Sequence, residues 1–544
     1  FGVLGDFCIS PNTYALSFSL SLCRFSRYSV SPFSALSRCG IKHPKPLPFF
    51  GNMFMFHQGV METTFDLINK HGRVCGYYLG RMPVVVVADP DILRQVTIKE
   101  FSTFPNRQYV INHTKPVSDG LQLLRDEHWK RVRGILTPSF SGAKLKEMVP
   151  LINTTINTLM NILNAHAKSG EAFDIHRCFN CFTMDVIATV AYGIQLDSQS
   201  NPDDRFVHFA KKYFIAPAFN PLMLLVVAFP FLKVPLLSLF PNKSRAEMDS
   251  FFINCIQRII KERDEQPPEQ RRRDFLQLML DARNSNECVS MDQFDMGNHA
   301  NEVGHGNQQT DQSVSEQDCH QPQASSAKSS QKRTITDDEI VGQALVFLLA
   351  GYETTSSTLA FTCYLLALHP ECQRKVQDEV DQFYCRHESP DYFSVQELKY
   401  LDMVISEALR LYSPGFRYLN GQLLPKGAYL EIAASYLHRD PEYWPEPEKF
   451  IPERFTPEAK ANRHPCVYLP FGAGPRNCVG MRLAQLEMKM ALVQLFRRFN
   501  VVTCSETKVP LELTSAALLG PKNGVIVKIA RRDMGEGQRN PTTK

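Results

Sequence analysis

The chain has 544 residues, of which 44% are hydrophobic and 21% charged, as is typical of globular proteins and not of disordered, collagenous or polytopic membrane proteins. Its 60 basic and 56 acidic residues give a net charge of +4 without a clustered basic face, so the sequence predicts no nucleic-acid partner. The 15 cysteines, an odd number in a long chain, argue against a disulfide framework and favour a reducing compartment.

The first 48 residues combine a weakly apolar stretch with a stiff linker. Residues 7–23 carry no charge, but Pro11 and several serines dilute the stretch below the roughly 20 apolar residues that cross a bilayer. Basic residues follow and would keep this side cytoplasmic if an anchor preceded them. Residues 43–48 read His-Pro-Lys-Pro-Leu-Pro, which predicts an extended linker because proline fixes φ. We therefore expect a residual membrane anchor and a Pro-rich hinge over 1–48.

Two apolar segments follow along the chain. Residues 83–88 are mostly β-branched and end at Asp89-Pro90, which predicts a strand. Residues 213–232 carry no charge, but Pro217, Pro221 and Pro230 interrupt any continuous helix. Two interpretations of this second segment stay open: short core helices with a buried loop, or an apolar surface that dips into a membrane and admits a lipophilic substrate.

Apolar residues at helical spacing predict helices over Phe275–Arg283 and Thr336–Leu368. The second begins with Thr-Asp-Asp-Glu, a capping box with acidic residues at the positive end of the helix dipole, and must end before Pro370. It is apolar over most of its surface, so we expect it to cross the core. Between the two helices, residues 284–333 are polar with few large apolar side chains, which predicts a poorly ordered surface insertion within one domain.

The strongest motif is the run Phe-Gly-Ala-Gly-Pro-Arg-Asn-Cys-Val-Gly at 471–480. It precedes an amphipathic segment at 481–499, so Cys478 would face a helix N-terminus, where the dipole and free N–H groups favour a thiolate. A dinucleotide-binding interpretation fails because Asn477 takes the place of the third glycine.

This loop resembles the haem-binding loop of the cytochromes P-450, whose pattern fixes Phe, Gly, Arg, Cys and Gly at these spacings. The resemblance implies a mainly α fold with a small β region, the cytochrome P-450 fold, and haem b (iron protoporphyrin IX) as cofactor. It implies that Cys478 is the axial ligand of the haem iron and that Phe471 lies beside the cofactor. Arg476 would pair with a propionate, and Gly474 and Gly480 would let the backbone pass close to the macrocycle.

Further segments resemble the same family. Trp129 and Arg133 match a Trp-x-x-x-Arg pattern whose members donate to a propionate, and Arg107 adds another contact of this kind. The resemblance also implies that the Glu-x-x-Arg pair at 407–410 forms a buried charge network with Arg454 behind the haem loop. The alternative for that pair is an exposed helix contact worth a few tenths of a kcal/mol.

On the long helix, Ala350–Thr354 resembles the oxygen-binding turn of the monooxygenases. Gly351 would let a ligand approach the iron, and Glu353 and Thr354 would act as catalytic residues that relay protons. The alternative for Thr354 is a hydroxyl that bonds back to its own i−4 carbonyl. A zinc site at Cys178 and Cys181 is not favoured, because no second ligand pair at zinc spacing accompanies them.

Within the family, the resemblance covers residues 41–531 and is greatest to the branch that isomerises prostaglandin endoperoxides, with the drug-oxidising 3A subfamily next. The residues that carry it lie at 43–46, 75–81, 271–277, 338–344 and 520–525. It implies an isomerase that converts prostaglandin H endoperoxide to thromboxane A, with hydroxy-heptadecatrienoic acid and malondialdehyde as by-products. The O–O bond then belongs to the substrate, so no external reductant is consumed.

Two departures keep alternatives open. Thr354 and Thr355 stand where that branch usually carries apolar residues, and a short segment of the family pattern is missing between Tyr418 and Gly421. The first departure allows an NADPH-dependent monooxygenase of lipids or xenobiotics that is served by a separate cytochrome P-450 reductase. The second allows a haem-poor, non-catalytic variant.

The resemblance places a haem-thiolate catalytic domain at 49–531, which includes the insertion, and a disordered tail at 532–544. It implies a lipophilic small-molecule substrate and a role in prostaglandin and fatty acid metabolism. We expect a monomer on the endoplasmic-reticulum membrane, with the catalytic domain on the cytoplasmic side.

Overall fold

The structure is a computed structural model of the chain. It describes residues 11–107, 114–214, 221–232, 239, 242–272, 274–283, 288–289, 331–332, 334–414, 419–421, 428–514 and 518–532. The predicted insertion at 284–333 and the predicted tail at 532–544 lie almost entirely outside the described residues, so both stay predictions.

Helices make up most of the described chain. In chain order, the α-helices are α1 Pro11–Val30, α2 Ala35–Arg38, α3 Val60–His71, α4 Pro90–Arg94, α5 Asp126–Leu136, α6 Gly142–Ser169, α7 Ile175–Tyr192, α8 Arg205–Phe214, α9 Pro221–Ala228, α10 Lys243–Glu265, α11 Phe275–Arg283, α12 Asp337–Leu368, α13 Pro370–Arg386, α14 Lys399–Leu411, α15 Ala434–Leu437, α16 Pro457–Ala461 and α17 Met481–Arg498. A π-helical turn spans Gln95–Lys99. Short 3-10 helices span Ser31–Ser34, Met53–Gln58, Val117–Asp119, Thr137–Phe140, Pro230–Leu232, Pro268–Gln270, Ser394–Glu397, Pro452–Phe455 and Pro465–Val467.

The strands are short and form small sheets. They are β1 Val74–Leu79, β2 Met82–Val87, β3 Phe173–Asp174, β4 Cys288–Val289, β5 Gln331–Lys332, β6 Leu419–Gly421, β7 Tyr429–Ile432, β8 Phe499–Val502 and β9 Ile526–Arg531. Their orders are β1-β2-β7-β6, β3-β9-β8 and β4-β5. The predicted mainly α fold with a small β region is confirmed.

The chain divides into two compact units. The first comprises 1–89, 217–242 and 418–433, and the second comprises 90–216, 243–417 and 434–544.

The first unit is built on the sheet β1-β2-β7-β6. β1 and β2 pair antiparallel, β2 pairs parallel to β7 with Val84 opposite Tyr429, and β6 pairs antiparallel to β7. The predicted strand at 83–88 corresponds to β2, whose valines are almost fully buried. The carboxylate of Glu431, buried on β7, accepts hydrogen bonds from Tyr77 at 2.9 Å and Thr64 at 3.3 Å. A one-residue slip of β7 would move this buried carboxylate away from its two donors, so the hydrogen bonds help to fix the register of the sheet.

This unit also carries an apolar surface. Helix α9 ends at Ala228, before Pro230, as the prolines predict. Val226 and Val227 of α9 are buried, whereas Leu225 is 42% and Phe231 66% exposed. Part of the segment is therefore core and part is surface, and the contact of this surface with a membrane stays a prediction. No helix among the described residues is long and apolar enough to cross a membrane.

The second unit is organised around α12. Thr336 accepts a hydrogen bond from the Glu339 N–H, and the Glu339 side chain accepts one from the Thr336 N–H, so the predicted capping box is confirmed. The helix runs to Leu368 and is buried along most of its length. It packs against α7, α14 and α17, so the predicted passage through the core is confirmed.

A buried ion pair supports this core from α14. Arg410 and Glu407 are 0% exposed and face each other in a fork, with Nε···Oε2 at 2.7 Å and Nη2···Oε1 at 2.8 Å. Arg454 Nε lies 3.4 Å from the same carboxylate. The predicted network is therefore present, and the alternative of an exposed pair is wrong for this chain.

The network fixes the chain that leads to the Cys478 loop. Arg410 donates to the carbonyl oxygens of His438 and Pro447, each at 2.7 Å. The N–H of Leu469 donates to His438 Nε2 at 2.8 Å, two residues before the loop begins. Burial lowers the pKa of His438 to about 3, so the imidazole is neutral and its nitrogen can accept this bond.

We expect Glu407→Ala to lower the free energy of unfolding by about 3–5 kcal/mol, because it leaves the Arg410 guanidinium buried without its counter-ion. The control is Glu262→Ala, which removes the exposed partner of Arg258 and should cost less than about 1 kcal/mol. Urea denaturation followed by circular dichroism measures both. Equal stability of the two variants would contradict the role assigned to the network, whereas an insoluble Glu407→Ala beside a soluble control would support it.

Candidate functional site

The Cys478 loop is a closed turn that leads into α17. The Cys478 N–H donates to the Phe471 carbonyl at 2.9 Å and closes the loop. Helix α17 begins at Met481, close to the predicted start, and Gly480 occupies its N-cap position. The Gly480 N–H donates to the Cys478 thiol. The sulfur is therefore next to a helix N-terminus, where N–H groups and the helix dipole favour an anionic or metal-bound sulfur.

Two opposing effects act on the Cys478 thiol. Burial raises its pKa, while the Gly480 N–H and the guanidiniums of Arg133 and Arg107 lower it, and burial is the larger effect. The side chain is nevertheless accessible to solvent. A ligand can therefore reach the sulfur.

Gly474 is required by the shape of the loop. Its φ of +70° lies in the left-handed region, and a Cβ atom there would stand 1.9 Å from the carbonyl oxygen of Thr97. The glycine therefore lets the loop approach the backbone of the π-helical turn at 95–99, and its expected closeness to a macrocycle stays a prediction. Gly480 has φ −88°, and a Cβ atom there would meet only Phe140, at 3.8 Å.

Arg476 joins the loop to the segment before α5. Its guanidinium donates to the carbonyl oxygens of Pro105 at 2.6 Å and Leu124 at 2.9 Å. The guanidinium carbon lies 4.3 Å from the centre of the Trp129 ring, a cation–π contact. Trp129 is buried, so the two predicted residues meet in the interior.

Arg107 and Arg133 contact the loop from two other directions. Arg107 donates to the Arg476 carbonyl at 2.7 Å. Arg133 donates to both the main-chain and the side-chain oxygen of Asn477, at 2.9 and 2.8 Å. Burial lowers the pKa of Arg133 to about 10, with a further lowering from Arg107 and an opposing effect of Cys478. Arg133 therefore stays charged at neutral pH.

Sequence reasoning missed the groups that position these cations. Asn477 entered only as the residue that replaces a glycine, yet it accepts both bonds from Arg133. Asn106 and Asp126 exchange two hydrogen bonds, at 2.6 and 2.8 Å, which hold the chain next to Arg107. Asn106 and Asp126 are 20 residues apart in the chain, and no sequence pattern predicts a contact between them.

The predicted oxygen-binding turn lies on a partly exposed stripe of α12. Val346, Ala350, Gly351, Glu353 and Thr354 are partly exposed on a helix that is otherwise almost wholly buried. Their spacing of three to four residues places them on one face, so this face borders accessible space. The Thr354 hydroxyl donates to the Ala350 carbonyl at 2.7 Å, which is the i−4 bond of the second interpretation.

Gly351 serves helix packing. A Cβ atom at this position would stand 3.0 Å from Cδ1 and 3.3 Å from Cγ1 of Ile187 on α7. The glycine therefore lets α7 approach α12 closely, and the expectation that it also makes room for a ligand stays a prediction.

Glu353 lies in a polar cluster with residues that the sequence did not connect to it. Its Oε1 is 3.8 Å from His176 Nε2 on α7, and the Ser357 hydroxyl lies between them, 3.4 Å from Oε1 and 3.3 Å from Nε2. Burial raises the pKa of Glu353 to about 7 and lowers that of His176 to about 3. His176 therefore belongs to this cluster, while burial raises the pKa of neighbouring Cys178 and Cys181 to about 12.

The structure thus brings the predicted residues together in two groups. Trp129, Arg107, Arg133 and Arg476 surround the Cys478 loop, and Phe471 closes it through its carbonyl. Glu353 and Thr354 lie on α12, and each of them is hydrogen-bonded to a partner of its own.

Comparison with known proteins gives matches along almost the whole chain. A family model described as Cytochrome P450 matches residues 41–305 and 307–529. Thromboxane-A synthase of Mus musculus is 46% identical over 516 residues, 93% of this chain and 94% of that protein. Thromboxane-A synthase of Macaca fascicularis is 46% identical over 530 residues, 96% of this chain and 97% of that protein. Cytochrome P450 3A13 of Mus musculus is 37% identical over 520 residues, with coverage of 93% and 94%.

We expect Gly474→Ala to open the Cys478 loop, because the new Cβ must displace the Thr97 main chain. Gly472→Ala is the matched control: its φ of +77° imposes the same left-handed strain of about 1–2 kcal/mol, but its Cβ would meet only Asn477 Cα, at 3.8 Å. Hydrogen exchange of the peptide 471–480 should rise much more in Gly474→Ala than in the control. Equal exchange in the two variants would contradict the steric role of Gly474.

Proposed function

The chain belongs to the cytochrome P450 family, and on that basis we propose that it is an isomerase that converts prostaglandin H endoperoxide to thromboxane A, with hydroxy-heptadecatrienoic acid and malondialdehyde as by-products. The identity of 44–46% to thromboxane-A synthases of four mammals, against 36–37% to the 3A relatives, carries this proposal. Family membership implies a haem-thiolate cofactor.

The residues around Cys478 fit such a cofactor. The accessible thiol accepts an N–H bond from Gly480 and lies in the field of Arg133 and Arg107, which suits a sulfur bound to iron. Three guanidiniums and an indole surround the loop, a donor set that complements the two carboxylates of haem b. We propose Cys478 as the axial ligand and Arg107, Arg133, Arg476 and Trp129 as the residues that hold the propionates, with Phe471 beside the macrocycle.

Thiolate-ligated haem, when bound, supplies an electron-rich iron that favours cleavage of an O–O bond. The residues of the chain set the position and the pKa of the sulfur. The N–H of Gly480 and the two nearby guanidiniums lower the pKa of the Cys478 thiol and so oppose the larger effect of its burial. The closed turn from Phe471 to Cys478 holds the sulfur in place. The peroxide of the substrate supplies both oxygen atoms, so the reaction needs neither dioxygen nor a reductant.

The α12 face agrees with a substrate that brings its own O–O bond. The Thr354 hydroxyl donates a hydrogen bond to the Ala350 carbonyl. The Glu353 carboxyl accepts one from the Ser357 hydroxyl and lies beside the His176 imidazole. A lipophilic endoperoxide would therefore meet small and neutral groups on this stripe. Isomerisation requires no proton delivery from either residue.

One observation favours a second candidate function. Glu353 and Thr354 are the residue types that deliver protons to dioxygen in a monooxygenase, and the 3A relatives match over more than 90% of the chain. In that case a separate reductase would supply electrons, and the substrate would be a lipid or a xenobiotic.

The third possibility, a haem-poor variant, depends on residues 415–427, of which only β6 at 419–421 lies within the described residues.

We propose that the first unit rests on the endoplasmic-reticulum membrane. Phe25, Phe49, Phe229 and Phe231 form a chain of aromatic contacts, with centroid distances of 4.7, 5.3 and 6.0 Å. Phe25 is 55% and Phe231 66% exposed, and Leu239 of the same unit is 72% exposed. Exposed apolar residues that lie in contact with one another suit a lipid interface, which would also give a lipophilic substrate access.

Purified protein with haem should convert prostaglandin H endoperoxide without NADPH or reductase, and thromboxane A, the hydroxy acid and malondialdehyde should appear together. Cys478→Ser should abolish turnover and the thiolate signature of the reduced carbonyl complex. Cys385→Ser, at an exposed cysteine, is the control and should retain both. Turnover that occurs only with reductase and NADPH would favour the monooxygenase, and protein that retains no haem would favour the third possibility.

The double variant Phe231→Asp/Leu239→Asp should bind phosphatidylcholine–phosphatidylserine vesicles at least about tenfold more weakly than the unchanged protein. Each removed side chain would otherwise bury apolar surface worth about 1.5–3 kcal/mol, and 1.4 kcal/mol corresponds to tenfold. Val509→Asp, 63% exposed in the second unit, is the matched control. Co-sedimentation with vesicles measures binding, and equal weakening by the control would contradict the assigned surface.

A further inference from the structure

His176, Glu353 and Ser357 form a polar cluster at the interface of α7 and α12. Their side chains are 9%, 14% and 0% exposed, respectively, and the Ser357 hydroxyl bridges the imidazole and the carboxyl. α7 and α12 pack closely around them, with Gly351 allowing the approach. The hydroxyls of Thr183 and Tyr192 also cross this interface, but they donate to main-chain carbonyls of α12, whereas this cluster joins side chains to one another.

A turn from the C-terminal part of the chain covers the cluster. Thr514 accepts a hydrogen bond from the Gly520 N–H at 3.1 Å and donates to the Leu518 carbonyl, also at 3.1 Å, which closes the turn. A Cβ atom on Gly520 would stand 3.3 Å from Glu353 Oε1 and 3.5 Å from Ser357 Oγ. The carboxyl is thus enclosed by an imidazole, a hydroxyl and a glycine backbone.

We propose that His176 is a positioning residue that, with Ser357, holds the Glu353 carboxyl against the Gly520 turn, so that it does not extend over the accessible stripe of α12. Glu353 and Thr354 are neighbours on the helix, yet the first bonds toward Ser357 and the second bonds back to Ala350. His176 therefore decides whether the substrate meets a neutral stripe or a carboxylate. This role in substrate binding rests on the isomerase function proposed above.

The electrostatics of the cluster agree with this role. Burial raises the pKa of Glu353 to about 7, so the carboxyl is protonated below that pH and ionised above it. His176 is neutral because burial lowers its pKa to about 3. Lys211 on α8 is the charged group that lowers both pKa values, and Asp174 at the N-cap of α7 accepts a hydrogen bond from the main-chain N–H of His176 at 3.0 Å. A carboxylate released into accessible space would return to its ordinary pKa of about 4.3.

Infrared difference spectroscopy of the haem-loaded protein tests the proposal without reference to turnover. The band of a protonated carboxyl at pH 6, assigned to Glu353 by its loss in Glu353→Gln, should be present in the unchanged protein. It should be absent in His176→Phe, which keeps an aromatic ring but cannot bond, and it should be retained in His176→Gln. A band that persists in His176→Phe would overturn the proposal.

Steady-state kinetics with the endoperoxide provide a second test. His176→Phe should raise the KM for the endoperoxide about fivefold or more, with a smaller change in kcat, because an anionic group would enter a lipophilic face. Adding Glu353→Gln should restore KM, and a KM that stays raised in the double variant would show a packing defect and overturn the proposal. If the protein converts no endoperoxide at all, the proposed function fails, whereas the infrared arm still decides the role of His176.

Gly520→Ala perturbs the cluster from the opposite side and covers the case in which His176→Phe does not fold. The φ of Gly520 lies outside the left-handed region, so the backbone accepts alanine, and the new methyl group must displace the Glu353 carboxyl. The carboxyl band should shift or weaken at pH 6. An unchanged band would contradict the enclosure of Glu353 by this turn.

Discussion

Hydrogen bonds from arginine side chains to main-chain carbonyls are the interaction on which the Cys478 site depends. Arg476 donates to residues 105 and 124, Arg107 donates to the Arg476 carbonyl, and Arg133 donates to Asn477. A guanidinium presents several donors in a fixed plane, so each arginine can tie two segments that are distant in the chain. These bonds join the loop to the chain at 105–133 and keep positive charge beside the sulfur. The same arginines therefore both position the thiol and place positive charge beside it.

The same chemistry recurs behind the loop. The Arg410 guanidinium forms an ion pair with Glu407 and also donates hydrogen bonds to the carbonyls of residues 438, 447 and 449. His438 then accepts from the chain that enters the loop. Three arginines thus contact the loop directly, and Arg410 supports the chain that enters it. The surrounding apolar core buries these hydrogen bonds and thereby strengthens them.

The sequence predicts regular elements well and side-chain partners poorly. The capping box of α12, the helix at 275–283 and the start of α17 follow from local patterns, because caps, periodicity and proline act within a few residues. The Glu407–Arg410 pair was expected from family resemblance and is present. The His176–Ser357–Glu353 cluster was not expected, because its members come from two helices that no local pattern links. Gly351 and Gly474 also make room for neighbouring protein, which the sequence could not show, since a missing side chain does not reveal what occupies its place.

The contact between Gly474 and residue 97 has a genetic consequence. The atom that excludes a side chain at 474 is a carbonyl oxygen of the main chain, which every amino acid carries. No exchange of the side chain at position 97 can therefore compensate for a larger residue at 474. Suppressor mutations would have to move the backbone of the π-helical turn itself, so position 97 is free to vary in side chain while position 474 has to remain glycine.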